Sequence, residues 1–491
     1  MTLEDFSDGV AALRQHFEEG LMRSEFVERD GEWIGDITHR GGVTTVRVKL
    51  TARFPFRPAR VIPVDADSVV WSWHREIDGA LCLVADDDHE DLWWTEAPAF
   101  LDHVKAWFDG ADGGWVTDRP DLDLDRYFAS SDRDDRLYVF GDLGPLLGHL
   151  VRFDRGTNGT MRLSGLGKRP RRGKVTDKQR FGYVADLGDV TTPPRQWADI
   201  SALIDPSVEI DRLISDRSVS IVILHYRRGE HDGAVFLEVW PNKANGITAR
   251  RLIAGADTPE ARTARSGPKA SALRGRKVAI VGAGAVGSFV VDALVRSGVG
   301  QLTIVDGDRI MPGNLVRHLV GPDTIGMYKP TAIKTYIDRR YGAGTVEIEA
   351  CDSYLLAPTE AIDLLTEHDL VIDATADFAI TAMLRSTAEA IGRTVLSVVM
   401  QNGGATYRID VLPSLDGSPA LPSSSQAMLE PENLVYESGC GSPISATPPA
   451  AVIEAAAAAA RHAIGLLLAS PLSTVGEVRD LSGQTPPGGI P

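Results

Sequence analysis

The chain has 491 residues, 24% of them charged, a formal net charge of −17 and a pI near 5.1. That length suggests about three domains, each able to bury its own core, and the acidity argues against a nucleic-acid binder, because the chain as a whole repels phosphate. Three cysteines, Cys82, Cys351 and Cys440, are too few and too far apart for a disulfide framework. A reducing compartment is expected, and Glu4, Asp5 and Asp8 do not make the basic start of a signal peptide, so the expectation is cytoplasm.

From the N-terminus, Phe6 to Met22 has helical spacing, and Glu32 to His39 and Val43 to Leu50 read as antiparallel strands of a small α+β domain. Next come Phe54-Pro55-Phe56-Arg57-Pro58, then Asp78-Gly79-Ala80-Leu81-Cys82-Leu83, then Trp93-Trp94 and a helical stretch from Leu101 to Phe108. In that order, residues 1–118 resemble a ubiquitin-conjugating domain. Asp78, Gly79, Cys82, Leu83 and Trp93 match the family's motifs in register, which implies that Cys82 carries a thioester. The family's His-Pro-Asn here reads His74-Arg75-Glu76, so the asparagine that supports the oxyanion of aminolysis is missing. The run Asp86-Asp87-Asp88-His89-Glu90-Asp91 reads first as a solvated acidic loop, and alternatively as a group that orients an incoming lysine amine.

Residues 119–265 are entered through an aspartate-rich stretch, Asp118 to Asp135, expected to be a linker, and contain a basic stretch, Lys168 to Arg180, expected to be an exposed loop. Val219 to Leu224 and Ala234 to Val239 read as strands of a small α/β middle domain, with a second linker from Asp257 to Pro268. No role follows for this part.

Residues 266–491 hold the densest motifs. Val278 to Val281 reads as a buried parallel strand, Val286 to Arg296 as a helix, and Gly282, Gly284 and Gly287 lie at the turn between them. Such a turn brings phosphates against the free amides and positive dipole of a helix N-terminus. Asp306 ends the next strand, where a carboxylate accepts from ribose hydroxyls, and Asp308 follows. Asn314 and Arg317 lie three apart and Lys329 comes next, so that an amide, a guanidinium and an ammonium can grip a triphosphate. Asp373-Ala374-Thr375-Ala376-Asp377 follows the apolar strand Leu370 to Ile372 and offers carboxylates for Mg2+. Asp373 can equally be a strand-end carboxylate that caps the next helix.

From about Ser266 to Ala469 these residues resemble the ThiF/MoeB and ubiquitin-activating superfamily, which adenylates a protein's C-terminal glycine carboxylate. The resemblance implies a Rossmann-like α/β domain in which Asp306 binds ribose, Asn314, Arg317 and Lys329 hold ATP, and Asp377 holds magnesium. It also implies a homodimer. The family usually reads Asp-x-Thr-Asp-Asn where this chain has Ala376-Asp377, and the two Cys-x-x-Cys zinc pairs of many members are absent. Cys351 follows an alternating strand and reads as a packed thiol, whereas Cys440 stands in Gly439-Cys440-Gly441, a loop from which a thiol can reach an acyl-adenylate. By resemblance Cys440 is the activating cysteine, and an incidental loop thiol is the alternative. Ala450 to Ala469 is apolar, yet Glu454, Arg461 and His462 interrupt it, so a helix outside any membrane is expected.

Both halves together resemble the fused conjugating and activating enzymes of bacterial CBASS anti-phage operons. That resemblance implies ATP-dependent activation of a protein C-terminus, such as that of a CD-NTase, followed by thioester transfer from Cys440 to Cys82 and conjugation to an acceptor amine. Two rivals remain at this stage, beside a weaker third, a noncatalytic scaffold that keeps the folds, for which the missing asparagine near His74 speaks. One is a sulfur-carrier-type adenylyltransferase whose N-terminal domain only binds; the other is a nicotinamide-dependent oxidoreductase, which a glycine turn also permits.

Overall fold

The computed structural model describes residues 3–83, 92–115, 123–168, 179–228, 231–242, 246–422 and 447–481. The chain divides into two compact units, 1–257 and 258–491.

The first unit begins with α1 (Leu3–Arg23), followed by β1 (Val27–Arg29), β2 (Glu32–His39), β3 (Gly42–Lys49) and β4 (Arg60–Pro63), which form an antiparallel meander in chain order. Helix α2 (Ala97–Gly113) completes this layer. Alternation along the strands buries Trp33 and Ile37 on β2 and Val46 and Val48 on β3, and these pack with Phe17, Leu21, Trp94, Phe100 and Val104 in one core.

The same unit continues into a mixed eight-stranded sheet made of β5 (Leu137–Phe140), β6 (Leu150–Arg155), β7 (Thr160–Leu166), β8 (Gln179–Asp189), β9 (Ile221–Arg228), β10 (His231–Pro241), β11 (Ile247–Arg251) and β12 (Ala254–Ala256). The spatial order is β11-β10-β9-β8-β6-β7-β5-β12. The apolar run on β9 is buried on both faces. Val222 and Leu224 meet Ile200 from α3 (Trp197–Ser201) and Ile210 and Ile214 from α4 (Ile210–Ser215), while Ile221 and Ile223 meet Tyr138, Phe153 and Phe236.

Two expectations change here. The aspartate-rich stretch is not free chain throughout: Leu124 and Tyr127 are buried, and Asp134 is buried in a charge network with Arg136, Tyr138 and Arg180. Arg180, assigned from sequence to an exposed basic loop, lies in β8 and also binds Glu238. Residues 169–178 of that loop lie outside the described residues.

The second unit opens with the short helices α5 (Pro259–Thr263), inside the stretch expected as a linker, and α6 (Ala270–Leu273). A seven-stranded sheet follows, built from β13 (Lys277–Val281), β14 (Gln301–Val305), β15 (Glu347–Cys351), β16 (Leu370–Asp373), β17 (Val395–Gln401), β18 (Thr406–Leu412) and β19 (Gly476–Asp480). Its order is β15-β14-β13-β16-β17-β18-β19, parallel from β15 to β17 and antiparallel beyond. The helices are α7 (Ala285–Arg296), α8 (Lys329–Tyr341), α9 (Pro358–Glu367), α10 (Phe378–Ile391) and α11 (Pro449–Leu467). By length and composition α11 is the single helix among the described residues apolar enough to cross a membrane. Here its Val452, Ala455, Ala459 and Ala463 are packed into the core with Val290 and Leu294 of α7.

Candidate functional site

Strand β13 lies between β14 and β16, so the chain turns opposite ways from its two sides and leaves a crevice at its C-terminal end, where open α/β sheets bind ligands. A cavity of about 390 Å³ occupies that place, lined by Gly282, Gly284, Asp306, Asp308, Lys329 and Asp377 among others. The three glycines have different reasons for being there. Gly282 has φ +91°, and a Cβ on it would come 2.7 Å from the Ala374 backbone. A Cβ on Gly287 would come 2.0 Å from the Gly282 carbonyl oxygen, so only glycine lets α7 begin this close to the turn. A Cβ on Gly284 would meet nothing within 4 Å. Gly284 is also the N-cap of α7 and carries no side-chain cap, so the first amides of the helix open toward the space that a phosphate needs.

The acids and the cation are joined in one network. Asp306 accepts from the Ala283 amide through Oδ2 (2.7 Å) and from the Asp308 amide through Oδ1 (2.8 Å). Lys329 Nζ lies 2.7 Å from Asp308 Oδ2 and 3.8 Å from Asp306 Oδ2. Tyr354 donates to the other Asp308 oxygen at 2.6 Å. Burial opposes charge on Asp308, but the hydrogen bonds from Lys329 and Tyr354 outweigh it and hold the carboxyl below its usual range.

Asp373 and Asp377 separate cleanly. Asp373 is buried, and its oxygens accept from the Thr375 amide and hydroxyl, from Thr381 Oγ1 (2.5 Å) and from Ser397 Oγ (3.0 Å). Those protein donors occupy it. The helix cap considered for Asp373 belongs instead to Asp377, whose Oδ1 accepts from the amides of Ala379 and Ile380 at the start of α10. Its Oδ2 takes neither of those bonds, and the residue lines the cavity, so of the two acids Asp377 has the donor set that suits a magnesium ion shared with phosphates.

Asn314 and Arg317 share one face of a short 3₁₀ helix, Pro312–Arg317, but neither lines the cavity. Asn314 Oδ1 accepts from the Met311 amide at 2.9 Å and so closes its own turn. The residue after Arg317 was not singled out from sequence. His318 is buried; its Nε2 lies 2.8 Å from the Ala283 carbonyl oxygen, and its Nδ1 accepts from the Val320 amide at 3.3 Å.

In the first unit, Cys82 is half-buried on a cavity of about 600 Å³ whose lining includes Arg53, Arg57, Arg60, Glu76 and Arg126. A tight turn presents it: Glu76 and Ala80 bond across Asp78-Gly79, Gly79 has φ +84°, and the Cys82 amide donates to the His74 carbonyl. Buried Arg75 closes the turn from inside by donating to the Gly79 carbonyl through Nε (3.0 Å) and Nη2 (2.7 Å). Arg75 stands at the proline position of the family's motif, and Glu76, at the position of the missing asparagine, accepts from Arg60 Nη2 at 2.8 Å. The cation at the sulfur comes from elsewhere, because Arg126 Nη2 lies 3.5 Å from Cys82 Sγ. His74 stacks on Trp115 with ring centroids 3.8 Å apart. Asp86 to Asp91 and Cys440 lie outside the described residues. Cys351 is half-buried at the end of β15, where burial and then Glu349 and Asp352 push its thiol up, in keeping with a packed side chain.

Comparison with known proteins agrees with the crevice. Residues 261–470 match the model of the ThiF family. The matched stretch is most of the second unit, the part that carries the glycine turn and the crevice. The chain is similar to an ATP-dependent ubiquitin transferase-like protein, Cap2, of Enterobacter hormaechei, at 32% identity over 23% of this chain and 18% of the relative. It is similar to the adenylyltransferase and sulfurtransferase UBA4 of Yarrowia lipolytica at 27% identity over 28% of this chain and 36% of the relative. A third relative, the protein y4oA of Sinorhizobium fredii, is 50% identical over 15% of this chain and 12% of its own length. The chain thus spans well under half of each of these relatives.

Proposed function

We propose that this protein uses ATP to adenylate the C-terminal carboxylate of a partner protein and then passes the acyl group through two cysteine thioesters to an acceptor amine. The observation that carries the adenylation step is the cavity at the end of β13, where the open N-terminus of α7, Asp306 and Lys329 face one space. The amides of α7 hold phosphate oxygens, Asp306 accepts from the ribose, and Lys329 neutralises charge that builds on the phosphates. Asn314 and Arg317, from the adjacent 3₁₀ turn, would add their amide and guanidinium when nucleotide is bound. Magnesium, when bound, offsets phosphate charge, and Asp377 is the residue to hold it.

The carboxylate attacks the α-phosphorus, a P–O bond to it forms, and pyrophosphate leaves. The product is a mixed anhydride from which AMP departs where hydroxide could not. Cys440 thiolate then takes the acyl carbon and releases AMP. In transthiolation Cys82 thiolate attacks the same carbon and Cys440 sulfur leaves. An acceptor amine finally attacks the Cys82 thioester, the C–S bond breaks, and the amine loses its proton. At Cys82 the Arg126 guanidinium lies where it can hold the attacking or departing sulfur as an anion. The similarity to Cap2, which is named for ATP-dependent ubiquitin transfer, supports the transfer steps, and the sequence resemblance to the fused operon enzymes extends the proposal to bacterial anti-phage defence acting on a CD-NTase. A homodimer in the cytoplasm is part of the same proposal.

The test is intact-protein mass under non-reducing conditions after co-expression with neighbouring genes. A reductant-labile adduct lost in Cys440→Ala and stalled on Cys440 in Cys82→Ala is expected. ATP turnover with no adduct on either thiol would replace this reading with the second one, a sulfur-carrier-type adenylyltransferase with a binding domain at its N-terminus, which the similarity to UBA4 favours.

A further inference from the structure

The Ala283 peptide lies in the middle of the glycine turn and is gripped at both ends. Its N–H donates to Asp306 Oδ2 at 2.7 Å, and its C=O accepts from His318 Nε2 at 2.8 Å. The partner on the other ring nitrogen fixes the tautomer. Val320 N–H points at Nδ1, so Nδ1 is the acceptor and Nε2 carries the single proton. His318 also follows Arg317 directly, at the C-cap of the 3₁₀ turn, and Leu319 donates from the next position to Ser288 Oγ of α7 at 3.3 Å. The ring therefore ties the segment bearing Asn314 and Arg317 to the turn that forms the phosphate end of the cavity.

We propose that His318 is a positioning residue: as a neutral imidazole it holds the glycine turn and the Asn314–Arg317 segment in one arrangement, and its protonation switches nucleotide binding off. This rests on the ATP reading given above. A second ring proton would sit on Nδ1, facing the Val320 N–H donor to donor, and the buried ring would have to leave its place. Of the charged groups that act on the ring, Lys329 opposes protonation and Asp306 favours it, while Ala283, Ser288 and Val320 contribute no charge. Burial is the largest influence and holds the imidazole below its ordinary value, with Lys329 adding to it against the Ala283 bond and Asp306. The neutral form therefore prevails at and above neutrality, and the switch operates only in acid.

The experiment measures Mg-ATP affinity by calorimetry from about pH 7.5 to about pH 5 on the full chain, for wild type and His318→Gln. A carboxamide keeps a donor for Ala283 and an acceptor for Val320 but does not titrate. Because ATP itself takes up protons in this range, the difference between the two proteins is the quantity read. The expected result is that wild type loses roughly three-fold or more affinity beyond the loss in His318→Gln at the acid end. Superimposable profiles would overturn the proposal while leaving ATP binding intact. No binding by either protein at any pH would overturn the ATP reading and this inference with it. Should the glutamine variant fold poorly, ¹⁵N-histidine spectra of wild type decide: a neutral Nε2–H ring at about pH 6 is expected, and an Nδ1–H or charged ring there refutes it.

Discussion

Lys329 Nζ and Asp308 Oδ2 lie 2.7 Å apart, so the ammonium that faces the nucleotide cavity already has a carboxylate partner within the protein. The lysine is mostly enclosed while Asp308 stays half open to solvent. The pair thus keeps a cation in place without leaving it unpaired before a triphosphate arrives. Replacement of Lys329 by alanine is expected to lower ATP–pyrophosphate exchange by about 10²-fold or more, since a charge aimed at the reacting phosphates is lost. Asp308 is depressed in the folded state, so its contribution to stability is present above the ordinary carboxylate range and fades as pH falls through the lowered value.

Gly284 and Gly287 should fail in different ways. Gly287→Ala forces a Cβ onto the Gly282 carbonyl and is expected to lower the melting temperature as well as nucleotide binding. Gly284→Ala meets no protein atom, so melting without ligand should stay near wild type while the methyl group occupies phosphate space. Thermal melts with and without Mg-ATP separate the two; equal destabilisation of both apo proteins would contradict the account of Gly284.

At the other thiol, Arg126→Ala is expected to slow acyl transfer onto Cys82 by about ten-fold or more, with pyrophosphate exchange unchanged. Arg126→Lys keeps the charge but not the planar fork and should recover part of the rate. Time-resolved intact mass gives both numbers, and a normal rate in the alanine variant would remove Arg126 from the transfer step.

Asp134 gives a stability prediction independent of function. Burial disfavours its charge, but the bonds from Arg136 and Tyr138 prevail and bring it to about 2 from 3.8. Its native value lies below its unfolded one, so the carboxylate stabilises the fold above about pH 4 and that stabilisation is lost as pH falls toward 2. Asp134→Asn should therefore cost about 2 kcal/mol near neutrality and little in strong acid. Denaturant melts across that range check the slope.

The glycine turn and Asp306 were legible because their meaning is local: a strand, a turn and a helix start within a few residues, and the acid ends the neighbouring strand. Lys329 was legible by its order in the motif. Arg126 and His318 were not, because their partners lie 44 and 35 residues away along the chain, and no periodicity links such distances. The aspartates around Leu124 and Tyr127 hid two anchors, since charge density suggests solvent whatever the apolar residues between the charges do. The eight-stranded sheet was seen only in its two most apolar strands. Its edge joins β5 to β12 in parallel, Tyr138 beside Ala254, a pairing that a three-residue strand cannot announce. The cap on α10 was expected of Asp373 and falls to Asp377, because which of two nearby acids meets the first amides of a helix depends on backbone geometry.

That shared duty gives Asp377 a second voice. The amides of Ala379 and Ile380 lean on the same carboxylate that faces the cavity. Any cation that draws charge from the carboxylate loosens their bonds, and any loss of the carboxylate lets the first turn of α10 fray. Deuterium uptake at those two backbone positions would then act as a gauge of what occupies the crevice, readable without a substrate, a partner or turnover.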